Sequence, residues 1–380
     1  MQQYIRPLLL MALLFHLSLQ AQSQKKISKK DSIRNDKIRQ GKMVFSQAIL
    51  PGSAPETGFL IGSISAFTFT MDPSDTSLQR SSVPIVAYVS VRGAVGLLSE
   101  ANVLFKRKIR SLNSIRFNHV VDNYWGVGYE AGSSIKRSED STQYIKNNFR
   151  WNPKVLREVG RKIFAGIQTE YSLTVANNPN PKMQEDEAFI QYGDRVSIFG
   201  VGLVAQFDSR DLIVNTSNGT LIELSWLNYP AAWATGDGYS TFGLEYRQFK
   251  KLGNRSGRTL AWNFRSKLGF GDIPWPELPS VGTDNSLRAY YGGRYRDQNS
   301  AYAMIEYRHT FKSKSGLSKH GFVVWTGAGE IWNDAIELEN TLPVIGAGYR
   351  FALQPRINLR MDFGVGRDSF GFYINVTEAF

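Results

Sequence analysis

The stretch Ala301-Tyr-Ala-Met-Ile-Glu-Tyr-Arg-His-Thr310 decides the fold. Its odd positions (Ala301, Ala303, Ile305, Tyr307) are largely apolar, and its even positions include Glu306 and Arg308. Successive side chains of a strand point to opposite faces, so one face here is apolar and the other charged. An apolar outer face over a charged inner one is the pattern of a membrane β-barrel around a wet lumen. The ending Gly371-Phe-Tyr-Ile-Asn-Val-Thr-Glu-Ala-Phe380 alternates in the same way.

Working outward, the period of two holds from Thr57 onward. Val83, Ile85, Ala87, Val89 and Val91 oppose Tyr88, Ser90 and Arg92. Ile357, Leu359, Met361, Phe363 and Val365 oppose Asn358, Arg360 and Asp362. Arginine and aspartate on the inward face would be ruinous in a dry core, whereas a hydrated lumen keeps them solvated or paired. Several stretches alternate for roughly 9–11 residues, the length of a tilted membrane strand. Turn signals separate them, among them Asp72-Pro-Ser-Asp75, Asn177-Asn-Pro-Asn-Pro181 and the longer Ile273–Gly282. The reading is all-β: a single transmembrane antiparallel barrel over residues 45–380, with about 16 strands because bacterial barrels hold an even number.

Residues 1–21 read as a secretory signal, with Arg6 before an apolar core from Leu8 to Leu19 and a cut after Ala21. Residues 22–44 form a basic periplasmic segment. Between Lys25 and Lys42, eight basic residues face only Asp31 and Asp36, which is half of the chain's formal +12. This segment reads as a solvated tail or as a contact for anionic lipid or an acidic periplasmic partner. Export excludes nucleic acid as a partner. The expected surroundings are outer-membrane lipid, the assembly machinery during the barrel's own insertion, and a periplasmic protein. The 380 residues include no cysteine, so neither disulfides nor thiolate chemistry is expected.

No motif points to catalysis or a cofactor. Six Gly-x-Gly pairs occur, including Gly346/Gly348 and Gly364/Gly366, but none opens a helix after a strand as a phosphate loop would. On a strand, such glycines share a face and admit close backbone approach. His119, His309 and His320 lack metal-ligand spacing, and a His309–Ser313 hydrolase pair is the only catalytic arrangement that can be drawn. Asp208, Arg210 and Asp211 read as a rim turn or as a lumen-facing salt-bridge cluster. Arg288 stands among Tyr290, Tyr291, Gly292, Gly293 and Tyr295, a composition that fits a loop folded inward. A guanidinium in a lumen cannot neutralise itself and needs an acidic partner. Glu306, on the lumen parity of the next strand, is the nearest in sequence.

From about Phe45 to Phe380 the chain resembles bacterial surface-antigen barrels of the BamA/TamA superfamily. The resemblance is strongest in Leu287–Arg308 and in Arg360-Met-Asp-Phe-Gly-Val-Gly-Arg367 with Gly371–Phe380. It implies a 16-stranded barrel whose inward loop carries an arginine paired with acidic groups on neighbouring strands; Arg288, Tyr290 and Glu306 match those positions. Ala289 stands where the family has glycine, and Gly327 replaces a second acidic partner. Phe372, Ile374, Val376 and Phe380 share one parity and match the terminal barrel-insertion signal, with Glu378 among them. The family's periplasmic polypeptide-transport-associated domains are not expected in this chain. The function implied is assistance in inserting or translocating proteins or lipids at the outer membrane, with a separate periplasmic partner. The alternative is a passive channel whose lumen is lined by Arg350, Arg356 and Arg360.

Overall fold

The computed structural model describes residues 38, 40–74, 80–105, 108–213, 215–253, 257–313, 316–354 and 357–380. The expected signal at 1–21 and all but the end of the basic segment 22–44 lie outside the described residues.

Sixteen antiparallel strands close into a barrel in chain order. They are β1 (Val44–Ala54), β2 (Gly58–Phe69), β3 (Ser81–Ser90), β4 (Val95–Phe105), β5 (Ile109–Asn123), β6 (Gln143–Gly160), β7 (Ile163–Asn177), β8 (Arg195–Asp208), β9 (Gly219–Pro230), β10 (Gly238–Lys251), β11 (Arg258–Gly271), β14 (Asn299–Ser313), β15 (Gly316–Trp332), β16 (Leu342–Gln354), β17 (Ile357–Gly366) and β18 (Ser369–Val376). Between β11 and β14, the short strands β12 (Ser280–Val281) and β13 (Tyr295–Arg296) pair with each other inside one long connection. Away from the β1–β18 junction, closure satisfies the backbone groups that lipid cannot. The alternation sorts as the sequence implies: Ile305, Val324, Ile345 and Phe363 are exposed outward, while Met304, Glu306, Val323 and Asp362 are buried inward.

The connections divide by length. At one end they include 124–142, 178–194 and 272–298; at the other, 161–162 is only two residues long. Short turns are periplasmic and long loops extracellular in such barrels, which orients the molecule. The extracellular loops carry short helices: α1 (Tyr129–Ser134), α2 (Glu139–Thr142), α3 (Pro181–Glu185) and α4 (Glu187–Tyr192). Asn180 accepts from Met183 N to cap α3, and Asp186 accepts from Ala188 N and Phe189 N to cap α4. These loops converge on Trp275, fully buried among Tyr124, Tyr144 and Phe189. The extracellular end of the lumen is therefore filled by an aromatic cap.

The seam differs from every other strand junction. β1 pairs with β2 at each of its residues, from Val44↔Thr68 to Ala54↔Gly58, but with β18 only at Ser53↔Ile374. Extending that register sets Val376, the last residue of β18, opposite Pro51. Val44–Leu50 thus have no β18 residue beside them, an edge of about 24 Å at the usual strand rise. Pro51 also lacks a backbone donor, the reason proline is confined to strand edges.

The alternation expected to reach Phe380 stops at Val376. Thr377 takes a positive φ of 74°, and the chain then turns into the lumen, so Glu378, Ala379 and Phe380 are buried. Phe372 remains exposed outward and Ile374 and Val376 are half-buried on β18, whereas Phe380 packs beside Phe249 inside. Burial offsets the turn: Glu378 Oε2 accepts from Arg350 Nε at 2.8 Å, and Phe380 O accepts from Arg308 Nη2 at 2.8 Å.

Candidate functional site in the lumen

The connection 272–298 folds back into the barrel, and Arg288 at its tip is completely buried. Its Nη1 donates to Asp362 Oδ2 at 3.0 Å and its Nη2 donates to Glu306 Oε2. The guanidinium lies 3.7 Å from the Trp325 ring centroid, a cation–π contact shielded from water. The second acidic partner, which the sequence reading gave up at Gly327, is Asp362 of β17.

Each acid is shared. Glu306 Oε1 accepts from Arg308 Nε at 2.7 Å. Asp362 also accepts from Arg350 Nη1 at 2.5 Å and Arg360 Nη1 at 3.3 Å. Arg360 reaches back to the loop, donating from Nη2 to Asp284 Oδ2 at 2.8 Å. Four guanidinium groups (Arg288, Arg308, Arg350, Arg360) therefore meet four carboxylates (Asp284, Glu306, Asp362, Glu378). Such a balanced network is the condition under which buried charge is tolerable. It ties the loop to β14, β16, β17 and the inward-turned residues 378–380 together.

Small residues on the wall make room for the loop. A Cβ on Gly364 would stand 1.7 Å from Arg288 O, and one on Gly366 would stand 2.5 Å from the Tyr290 ring. The Gly364/Gly366 pair is thus a seat for loop backbone. Tyr290, fully buried, donates to Pro343 O at 2.7 Å and accepts from Arg367 N at 2.8 Å. Ser369 Oγ donates to Ala289 O at 2.6 Å. Ala289 is not among the residues of positive φ, so alanine meets no strain there; Gly293, at φ 74°, is the left-handed position. Gly292 N donates to Glu56 Oε1 at 3.0 Å, joining the loop to the β1–β2 turn. Burial pushes the Glu56 carboxyl up, partly opposed by that N–H; Asp122 and Asp284 add to the rise.

The first half of the loop has its own anchor. Glu277 Oε2 accepts from Arg150 Nη2 at 2.5 Å, and Arg150 also pairs with Glu170 at 3.2 Å. Asp208 and Arg210 form a bidentate pair, with Nε to Oδ1 and Nη2 to Oδ2 both at 2.9 Å, and Arg110 approaches Asp208 at 3.4 Å. Asp211 shapes the turn instead, accepting from Ser217 N at 3.0 Å and Ser217 Oγ at 2.6 Å. That turn enters the periplasmic mouth, where buried Thr216 accepts through its carbonyl from Arg308 Nη1 at 3.5 Å. Asp284, Arg150 and Glu277 escaped the sequence reading, and Glu56 and Trp325 were not assigned to the loop. Asp362 was legible as a lumen-parity acid but was not assigned to Arg288.

A closed sixteen-strand barrel, apolar outside and charged inside, with a loop clamped in its lumen, defines an outer-membrane β-barrel. Its fold is that of BamA from Haemophilus ducreyi lacking POTRA domains 1–3: the two share 11% identity with a TM-score of 0.56, over 88% of this chain and 70% of that one. The likeness is one of fold, that of a BamA-type barrel. A monoaromatic hydrocarbon channel, CymD, aligns at 9% identity over 88% of this chain and 86% of that one, with a TM-score of only 0.37. No family profile and no curated protein matches the sequence.

Proposed function

We propose that this barrel assists the insertion or translocation of proteins or lipids at the outer membrane, receiving its clients from a periplasmic protein. The observation that carries the reading is the seam. β1 offers Val44–Leu50 as backbone with no β18 residue beside it, and an open strand edge is a template for an incoming strand. The filled lumen supports the same reading, because the loop, the β8–β9 turn and residues 378–380 occupy the space a solute would cross. Arg350 and Arg360, expected to line an anion pathway, are each held by carboxylates; Arg356 lies outside the described residues. In this account the Arg288 network holds the wall that leads to the seam, β14 to β18, in shape while the seam admits a client strand.

Reconstitution in lipid vesicles tests the proposal. The barrel is expected to accelerate insertion of an unfolded outer-membrane client while passing little steady current in planar bilayers. Steady anion-selective conductance without faster insertion would establish the channel alternative instead.

A further inference from the structure

The connections at the two ends of the barrel differ in the charge of their sequences. Extracellular connections between barrel strands contain eight basic and seventeen acidic residues; periplasmic connections contain ten basic and three acidic. At the periplasmic ends of β11, β14, β15 and β16 the described residues form a more specific arrangement.

Arg258, His309, Phe322 and Tyr349 stand opposite one another in a single row across those four strands. They share the outward face that Ile305, Val324 and Ile345 carry through the membrane. Two tyrosine–histidine pairs recur there. Tyr307 Oη lies 3.0 Å from His309 Nδ1, and Tyr349 Oη bonds His320 Nδ1. In the tautomer in which each phenol donates to Nδ1, Nε2 carries the proton and is a donor. The imidazoles rest on aromatic rings: His309 stacks on Phe322 at 5.2 Å and 17°, and His320 meets Phe351 at 5.4 Å. Lys319 Nζ lies 5.8 Å from the Phe351 ring centroid. Arg258 and Lys319 are exposed, and neither meets a carboxylate among the described residues. Among the described residues of these four strands the only acids are Glu306, which faces the lumen, and Glu330, at the extracellular end.

We propose that this row is a binding site for an anionic phospholipid headgroup of the periplasmic leaflet. The phosphodiester accepts from the guanidinium and the Nε2–H groups, with Lys319, beside the Phe351 ring, supplying further positive charge. The aromatic rings and the apolar wall above them take the glycerol and the upper acyl chains. An ordinary aromatic girdle also sits at this depth, but rings alone do not discriminate headgroup charge. The site is independent of the proposed seam activity and stands or falls separately from it.

Native mass spectrometry of the full chain, released from vesicles of equal phosphatidylglycerol and phosphatidylcholine content, reads the preference directly. Wild type is expected to retain phosphatidylglycerol in excess and to lose the excess at high salt. Arg258→Gln/Lys319→Gln is expected to weaken retention about fivefold for each cation removed. His309→Phe/His320→Phe, which keeps the ring packing, is expected to reduce it in a barrel that still folds. Equal retention of the two lipids by wild type overturns the proposal, as does a preference unchanged in both variants.

Discussion

Replacing Arg288 with alanine removes the centre of the lumen clamp. The side chain has no exposed surface, two carboxylate partners and a stacked indole. Removing one member of a buried ion pair costs about 3–5 kcal/mol, because the partner's charge is left uncompensated. Here the remaining charges are partly covered: Glu306 keeps Arg308, and Asp362 keeps Arg350 and Arg360. The cost therefore falls near the lower bound, about 3 kcal/mol, which is on the order of a hundredfold in the docking equilibrium of the loop. Arg288→Lys restores the charge but neither the two-pronged donation nor the planar stack, so it should recover only part of that loss. Hydrogen exchange across Leu287–Asp297 in detergent micelles reads docking directly, with folded yield and heat stability measured in parallel. Wild-type protection of this segment in Arg288→Ala, at unchanged yield, would refute the clamp.

Gly364→Ala tests the same docking by shape, since its Cβ would meet Arg288 O at 1.7 Å; the loop should undock at least as fully as in Arg288→Ala, and protease resistance across the loop would contradict this. Asp362→Asn should lower the folded yield more than Glu306→Gln, because three arginines converge on Asp362 and two on Glu306; the reverse order would show that arginine count does not set the cost. Glu56 supplies a pH test. Its folded carboxyl holds its proton above the ordinary value of 4.5, so the native state binds more protons than the unfolded state in that window. The contribution of Glu56 to stability is present below 4.5 and is lost as pH rises through the folded value. Hydrogen exchange at Gly292, corrected for intrinsic rates, should show protection falling with rising pH, and Glu56→Gln, which keeps an acceptor oxygen, should flatten that dependence.

What was legible in the sequence was local. Period-two alternation identified the strands and their lumen faces because a residue's face depends only on its parity. Arg288 and Glu306 were readable because the loop leads straight into the strand that carries the acid. Asp362 stands 74 residues from Arg288 and Glu56 stands 236 from Gly292, and only barrel closure brings such positions together. Nothing in the local pattern marks the positive φ at Thr377, so Phe380 read as a continuation of the outward row. Its inward turn is bought by Arg308, Arg350 and Phe249, contacts that lie on three other strands. The glycine pairs were read correctly as sites of close approach, but what approaches Gly364 is the Arg288 carbonyl, which spacing alone does not reveal.

The central claim is that the short β1–β18 seam is the working edge. Ser53 and Ile374 are its paired position, and the chain has no cysteine to interfere. Directly opposed Cβ atoms in an antiparallel pair lie close to disulfide reach, so Ser53→Cys/Ile374→Cys should lock the seam on oxidation. The measurement is the rate of client insertion into vesicles containing this variant, before and after reduction. The account predicts little insertion when oxidised and recovery when reduced. Insertion at the same rate in both states would contradict it.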